Sequence, residues 1–170
     1  MVKLKDFQVA FSGLKLGSHQ FDFQIEDSFF QLFDYAELSS GQINANILLH
    51  KKSNMLELEF QINGNVTLAC DTCTDNYTQS IEGNFKQIVK FSDVAEPEET
   101  DEIIILPTNE HTLEVAHQLY EFIHLSLPSK RAHADEADCN QEILEKLEEL
   151  AYQEPEVKDP RWSALQNLKK

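Results

Sequence analysis

A long run of alternating apolar and polar residues at positions 55–73 constrains the fold of this 170-residue chain more than any other feature. Its large apolar residues from position 56 onwards recur at even numbers: Leu56, Leu58, Phe60, Ile62, Val66 and Leu68, followed by Cys70. A period of two is typical of a strand with one face in a core and the other in solvent. Gly64 interrupts the run, and we expect it in a bend or a bulge, where a missing Cβ costs little. The pattern therefore predicts a long strand that ends at the Cys-x-x-Cys pair of Cys70 and Cys73.

Shorter runs with the same alternation predict further strands around this one. The run that ends at Leu49 is separated from the long strand only by the polar residues 51–54, so residues 41–50 and 55–70 are predicted to form an antiparallel hairpin. Other strands are predicted near residues 7–11, 21–25, 81–91 and 103–106. From about residue 112 the apolar spacing changes to three and four, which is typical of a helix, and a second helix is predicted around residues 143–150.

Strands that come first and helices that come last predict an α+β fold. We expect an antiparallel β-sheet core, sandwich-like or barrel-like, with the helices mainly in the C-terminal half. Residues 1–152 are predicted to form one α+β domain, and residues 153–170 a linker and a C-terminal helical tail. Asp159 followed by Pro160 is a favourable start for the helix of that tail.

The charge of the chain argues against several classes of partner. The formal net charge is −16, from 30 acidic and 14 basic residues, and a surface so acidic repels nucleic-acid phosphate. A basic protein partner suits it better, and direct contact with RNA is left open. No apolar run approaches the roughly 18 residues that span a membrane, and the N-terminus lacks the pattern of a signal peptide. We expect a cytoplasmic protein with reduced thiols.

Catalysis has little support in the sequence, so we expect a protein that is not an enzyme and has no small-molecule substrate. None of the five glycines belongs to a phosphate-binding loop, and no serine lies in a nucleophile-elbow context. Two Glu-x-x-His motifs occur, Glu114 with His117 and Glu121 with His124. Because both are predicted on one helix, they favour a solvated or interface-facing stripe over a di-metal site, which takes such motifs from facing helices.

The cysteines are the strongest candidates for a site. A Cys-x-x-Cys pair supplies two ligands, and a structural zinc site needs four. The remaining candidates are His133 and Cys139, which follow the first long helix, so Cys70, Cys73, His133 and Cys139 are the predicted zinc ligands. Unliganded thiols remain the alternative. A redox role has less support, because the pair does not open a helix whose dipole would lower a thiol pKa.

The C-terminal tail has a charge opposite to that of the chain. From residue 156 it holds four basic residues against two acidic ones, a local charge of +2, and it contains the only tryptophan. A short helix is marginal alone in water and needs a surface, which is either the acidic face of this domain or a partner. The predicted partner-binding residues are Asp159, Pro160, Arg161, Trp162, Leu165, Leu168, Lys169 and Lys170.

Several stretches together resemble one known family. They are Cys70-Asp-Thr-Cys73, Leu125-Ser-Leu-Pro128, the segment from His133 to Cys139, and the tail that begins Asp159-Pro160-Arg161-Trp162. On these residues the chain resembles the YceD family, the large ribosomal RNA subunit accumulation proteins, over its whole length. The arginine and leucine usual around the first cysteine pair are replaced here by Thr72 and Thr74.

The resemblance implies a non-enzymatic bacterial or organellar factor that supports accumulation of large-subunit ribosomal RNA. Its expected partner is a ribosomal protein or a large-subunit precursor, since many relatives are encoded beside a small protein of that subunit. Some relatives carry a richer second cysteine cluster, of which His133 and Cys139 remain here. The alternative function is that of a small zinc-binding or redox-active cytosolic protein that uses the Cys-x-x-Cys pair.

Overall fold

A computed structural model describes residues 2–34, 37–93 and 103–151 of the chain. Within these ranges the regular elements follow one another in the order β1 (Gln8–Ala10), β2 (Gly17–Ile25), α1 (Asp27–Phe30), β3 (Gly41–Lys51), β4 (Met55–Ala69), β5 (Asn76–Phe91), β6 (Ile103–Leu106), β7 (Thr112–Glu114), α2 (Ala116–Leu125) and α3 (Gln141–Leu150). Strands dominate the first half, and the two longer helices lie in the second. The predicted α+β class is therefore confirmed.

The β3–β4 hairpin forms the centre of a five-stranded sheet with the order β2-β3-β4-β5-β6. Its register runs without interruption from Gly41 opposite Val66 to Lys51 opposite Leu56, as the matched alternation predicts. Strand β4 also pairs with β5 along its whole length. In the described part of the chain this sheet ends at β2 and β6 and does not close into a barrel. Strands β1 and β7 form a separate two-stranded antiparallel sheet.

One face of the large sheet carries the core. The even-numbered apolar residues of β4 from Leu56 to Leu68 are at most 4% exposed, because the pleat sends alternate side chains to opposite faces. Helix α2 covers this face through Phe122, whose ring stacks on Phe85 with centroids 4.4 Å apart and meets Phe60 edge-on at 4.9 Å. Full burial of one such phenylalanine stabilises the fold by about 1.5–3 kcal/mol.

Two of the regular elements differ from the sequence-based prediction. Strand β6 pairs with β5 in parallel, so the large sheet is mixed. The helix predicted from about residue 112 begins instead at Ala116, since Leu113 belongs to β7 and lies opposite Val9 of β1. Both side chains are buried, and their pairing outweighs the helical spacing between Leu113 and Ala116.

Gly64 lies neither in a bulge nor at a break in pairing, because it is opposite Ile43 and Ile81 in an uninterrupted register. The neighbouring strand approaches it closely instead. A Cβ at this position would lie 2.2 Å from the backbone oxygen of Gln42 and 2.6 Å from Cα of Ile43. Its φ of +159° is at the limit of the range that favours glycine. The central hairpin therefore requires a residue without a side chain here.

Parts of the predicted organisation fall outside the described residues. The proposed linker and helical tail, residues 153–170, are not described. The division into a domain at residues 1–152 and a separate tail stays a prediction.

Candidate metal centre

The turn between β4 and β5 holds the first two candidate ligands. The alternation of β4 continues past its last pair, Ala69 opposite Asn76, and turns Cys70 towards the interior. Two backbone hydrogen bonds close the turn, from the Cys70 N–H to the Asp75 carbonyl and from the Thr74 N–H to the Cys70 carbonyl, both 2.9 Å long. Cys70 is 2% exposed and Cys73 is fully buried. The hairpin thus places both sulfurs inside the molecule.

Thr74 closes this turn in a costly conformation. Its φ is +65°, and it is the only residue other than glycine with a positive φ in the described part of the chain. A β-branched residue is an outlier in this region, because its Cβ crowds the backbone. Backbone strain persists where the surroundings impose it, and it is frequent at ligand-binding turns. Here the strain lies beside Cys73.

A second segment brings the other two candidate ligands to the hairpin turn. After α2 the chain returns towards the sheet, and Asp71 and Arg131 bind each other reciprocally. The Asp71 N–H donates to the Arg131 carbonyl at 2.6 Å, and the Arg131 N–H donates to Asp71 Oδ2 at 2.9 Å. The Arg131 guanidinium also donates to both carboxylate oxygens of Glu37 and lowers the pKa of that carboxyl group. The contacts with Asp71 hold the start of this segment, at Arg131, against the turn.

The structure brings Cys70, Cys73, His133 and Cys139 into one cluster, in which all four candidate donor atoms lie within 4.8 Å of one another. The sulfurs of Cys70 and Cys139 are 4.0 Å apart. Nδ1 of His133 is 3.6 Å from the Cys73 sulfur and 3.4 Å from the Cys139 sulfur. The sulfur–sulfur distance is too long for a disulfide bond, which is about 2.05 Å, so the three cysteines are free thiols.

These distances fit a tetrahedral zinc ion. Zinc binds sulfur at about 2.3 Å and nitrogen at about 2.0–2.1 Å, so two ligand atoms of a tetrahedral site are about 3.6–3.8 Å apart. The observed separations, 4.0, 3.6 and 3.4 Å, lie close to these values. Three cysteines with one histidine are a common ligand set of structural zinc sites. The four residues could therefore hold one zinc ion and leave no position open for a substrate.

The electrostatics of the cluster favour a negative charge on one sulfur. Backbone N–H groups of Cys73, His133 and Thr72 hydrogen-bond to the Cys70 sulfur and lower its pKa to about 5, with Cys73 contributing most. Burial raises the pKa of Cys139 to about 12, and its contacts with the other two cysteines add to the effect. A thiolate at Cys70 is thus preferred, and a second one at Cys139 is opposed by burial and by repulsion. A dication would reverse this opposition, because it stabilises every thiolate that it binds.

Apolar side chains surround the cluster and keep it dry. Ala132, Ile143 and Leu144 pack against it, and the Tyr77 ring lies 5.1 Å from that of His133. Ile143 and Leu144 belong to the first turn of α3, so the cluster also positions that helix. A dry shell strengthens the interaction between a metal ion and thiolate ligands.

The other candidates lie elsewhere. Of the two Glu-x-x-His motifs, Glu114 is on β7 and not on the helix, and its carboxylate lies 3.3 Å from Nδ1 of His117 in an exposed pair. His124 Nδ1 is 2.8 Å from the Tyr120 carbonyl oxygen, one helical turn earlier. Neither motif forms a metal site within the described residues, where the cysteine cluster is the group that fits one. All partner-binding candidates, residues 159–170, lie outside the described residues.

Sequence reasoning did not identify Asp71, Arg131 and Glu37 as residues that hold the two ligand segments together. The sequence offered a signal for Asp71 alone, because this residue lies between the two cysteines. Arg131 and Glu37 are 94 positions apart and belong to no periodic pattern.

Together the fold and the site define an α+β protein whose hairpin turn and helical half meet at a buried cluster of three cysteines and one histidine. The family model described as "Large ribosomal RNA subunit accumulation protein YceD" matches residues 58–169. This match covers more than half of the chain, so the chain belongs to the YceD family, as the resemblance indicated. The match includes all four cluster residues and most of the predicted tail.

The family name connects its members with the accumulation of large-subunit ribosomal RNA. No curated protein and no solved structure matches the chain. Among the described residues, every helix is too short or too polar to cross a bilayer.

Proposed function

We propose that this protein is a non-enzymatic cytoplasmic factor that supports accumulation of large-subunit ribosomal RNA during ribosome assembly. It acts by binding a basic ribosomal protein or a pre-ribosomal particle. The observation that carries this proposal is the family match over residues 58–169. The structure adds a reason for a binding role, since the cluster that fits a metal ion has four protein ligands and no open position.

The charge of the chain supports a protein partner in preference to bare RNA. At −16 the body of the protein attracts a basic ribosomal protein and repels phosphate. The exception is the tail from residue 156, whose local charge is +2. We infer that Arg161, Lys169 and Lys170 reach phosphate on the particle while the acidic body binds a basic protein. Trp162 and Arg161 are residue types that commonly anchor interfaces.

The metal ion in this proposal is structural zinc, held by Cys70, Cys73, His133 and Cys139. It would join the β4–β5 turn to the segment before α3. These two segments also contact each other through Asp71 with Arg131, through the His133 N–H with the Cys70 sulfur, and through a long hydrogen bond between Asn140 and Asp75. Binding a metal ion in the folded state alone stabilises that state. The zinc would therefore fix the mutual position of the sheet and α3.

A redox-active protein is the second candidate, and the lowered pKa of Cys70 favours it. Two observations oppose it. The cysteines are at most 6% exposed, so a thiol or disulfide substrate cannot approach them, and reactive cysteines are usually accessible. The turn that holds Cys70 also opens no helix. Free-thiol titration of the native, metal-free protein distinguishes the two, because a redox protein requires at least one fast-reacting cysteine.

Co-sedimentation with large-subunit precursors in a sucrose gradient tests the proposed function. We expect the full chain to migrate with precursor particles at low salt, and a chain without residues 159–170 to remain at the top of the gradient with nearly unchanged melting temperature. A full chain that never migrates with precursors would contradict the proposed function. Migration that survives the deletion would contradict only the role of the tail.

A matched pair of variants distinguishes a specific contact made by the tail from a general effect of net charge. Lys169→Glu with Lys170→Glu should abolish migration with precursors. Lys3→Glu with Lys5→Glu changes the net charge by the same amount at exposed positions of the opposite terminus and should leave migration intact. Equal loss in both variants would mean that the tail is not a specific contact.

A further inference from the structure

Helix α3 is attached to the rest of the molecule by one end. Its first turn packs on the cysteine cluster through Ile143 and Leu144, yet none of its ten residues is buried. Leu147 is 48% exposed and Leu150 is 82% exposed. They follow Ile143 at spacings of four and three, so the apolar stripe that begins against the cluster continues into solvent. The second half of α3 therefore presents an apolar surface.

Acidic side chains are frequent on the rest of α3 and on the short turn before it. A groove of about 290 Å³ runs between the short turn Glu136–Asp138 and α3. Its lining residues are Glu136, Ala137, Gln141, Leu144, Glu145 and Glu148. Residues 136–150 contain six acidic side chains and one lysine, a net charge of −5. A ligand for this surface must therefore be basic and must carry apolar side chains at a helical spacing.

The chain itself contains such a segment. The described residues end at Ala151, one position after α3, and residues 156–170 carry a local charge of +2. Trp162, Leu165 and Leu168 recur at a spacing of three. A second copy of α3 is a poor alternative, because two surfaces of −5 repel each other.

We propose that residues 156–170 dock on the exposed stripe of α3 in the free protein, with Trp162 and the two leucines against Leu147 and Leu150. The basic side chains of the segment then lie near Glu148 and Glu149, which flank Leu147 and Leu150 on the two sides of the helix. The connection allows this, since eleven residues from Ala151 to Trp162 reach about 36 Å at most and α3 is only about 15 Å long. This contact forms in the free protein, so its test needs no ribosomal partner. Only its competition with a partner rests on the proposed function.

The docked segment holds side chains that the proposed partner would also need. A partner that binds Trp162 must first displace it from α3, so the two contacts compete. A variant that weakens the contact with α3 should therefore bind large-subunit precursors more tightly than the wild type. This makes the acidic helix an internal competitor of the partner.

Fluorescence of Trp162, the only tryptophan, tests the contact directly on the full chain without ribosomal material. In the wild type we expect a blue-shifted emission maximum and slow quenching by acrylamide. Leu147→Ser with Leu150→Ser should shift the maximum and the quenching rate to the values of the urea-unfolded chain. Leu16→Ser is the control, since Leu16 is 67% exposed on another part of the molecule, and it should change neither quantity.

A second variant keeps the test valid if the double serine variant fails to fold. Glu148→Lys with Glu149→Lys should also increase quenching, and circular dichroism reports whether each variant retains its secondary structure. Wild-type emission that equals that of the unfolded chain would overturn the proposal. Quenching that depends on protein concentration would also overturn it, because the occupant of α3 would then be a second copy.

Discussion

Replacement of Gly64 by alanine adds only one methyl group, but it should strongly lower the free energy of unfolding by disturbing the β3–β4 hairpin. The new Cβ would lie 2.2 Å from the Gln42 carbonyl oxygen and 2.6 Å from Cα of Ile43. Both atoms are backbone, so no side chain can rotate away. Strands β3 and β4 would have to separate near the Gly41 end of an uninterrupted register.

The expected magnitude has two parts. A side chain in a backbone conformation that normally requires glycine costs of order 1–3 kcal/mol. The steric clash with the adjacent backbone adds a cost like that of overpacking, about 1–3 kcal/mol. We therefore expect Gly64→Ala to lower the free energy of unfolding by about 3 kcal/mol or more.

Two other glycines provide matched controls, because no atom lies within 4 Å of a Cβ built at Gly13 or Gly17. Gly17 has a φ of +123°, so Gly17→Ala measures the backbone cost alone. Gly13→Ala involves neither cost and should be nearly neutral. Urea unfolding followed by circular dichroism gives the three free energies. A Gly64→Ala variant no less stable than Gly17→Ala would refute the close approach of β3 and β4.

Three further perturbations test other parts of the structure. Phe60→Ala should lower the free energy of unfolding, measured by urea titration, by about 3–5 kcal/mol, because the ring is 1% exposed. The control Gln61→Ala, on the exposed face, should change it by less than about 0.5 kcal/mol. Thr74→Gly should raise the melting temperature, since it relieves a positive φ that costs about 1–2 kcal/mol for a residue with a Cβ. The Gly41 N–H lowers the pKa of Asp27 below its ordinary 3.8, so the carboxylate stabilises the fold above that pH and loses this effect as the pH falls through the lowered pKa. Urea midpoints of Asp27→Asn should therefore lie below those of the wild type at neutral pH and converge with them in acid.

The sheet was largely predictable because its signal is local. Alternation in β4 fixes which face is buried, and the short polar turn before Met55 sets the pairing with β3. The same parity, continued to Cys70, indicated that the cysteine pair would begin on the buried side. Ligand chemistry then indicated His133 and Cys139 as the other two ligands, and the structure places both beside Cys70 and Cys73.

Contacts between distant segments were not predictable from local patterns. The pairing of β7 with β1 joins residues more than 100 positions apart and overrides a helical spacing at Leu113. The parallel position of β6 depends in the same way on tertiary packing. The positive φ of Thr74 could not be predicted from its residue type, because threonine disfavours this conformation and the closure of the turn imposes it.

Native mass spectrometry of the full chain, purified under reducing conditions with zinc present, tests most directly the claim that one metal ion joins the hairpin turn to α3. We predict one zinc ion per chain, its loss on addition of a chelator, and its absence in a Cys73→Ala variant, with no change in a control His50→Ala variant. A wild-type chain that stays metal-free under these conditions, or that keeps its zinc after Cys73→Ala, would contradict the account.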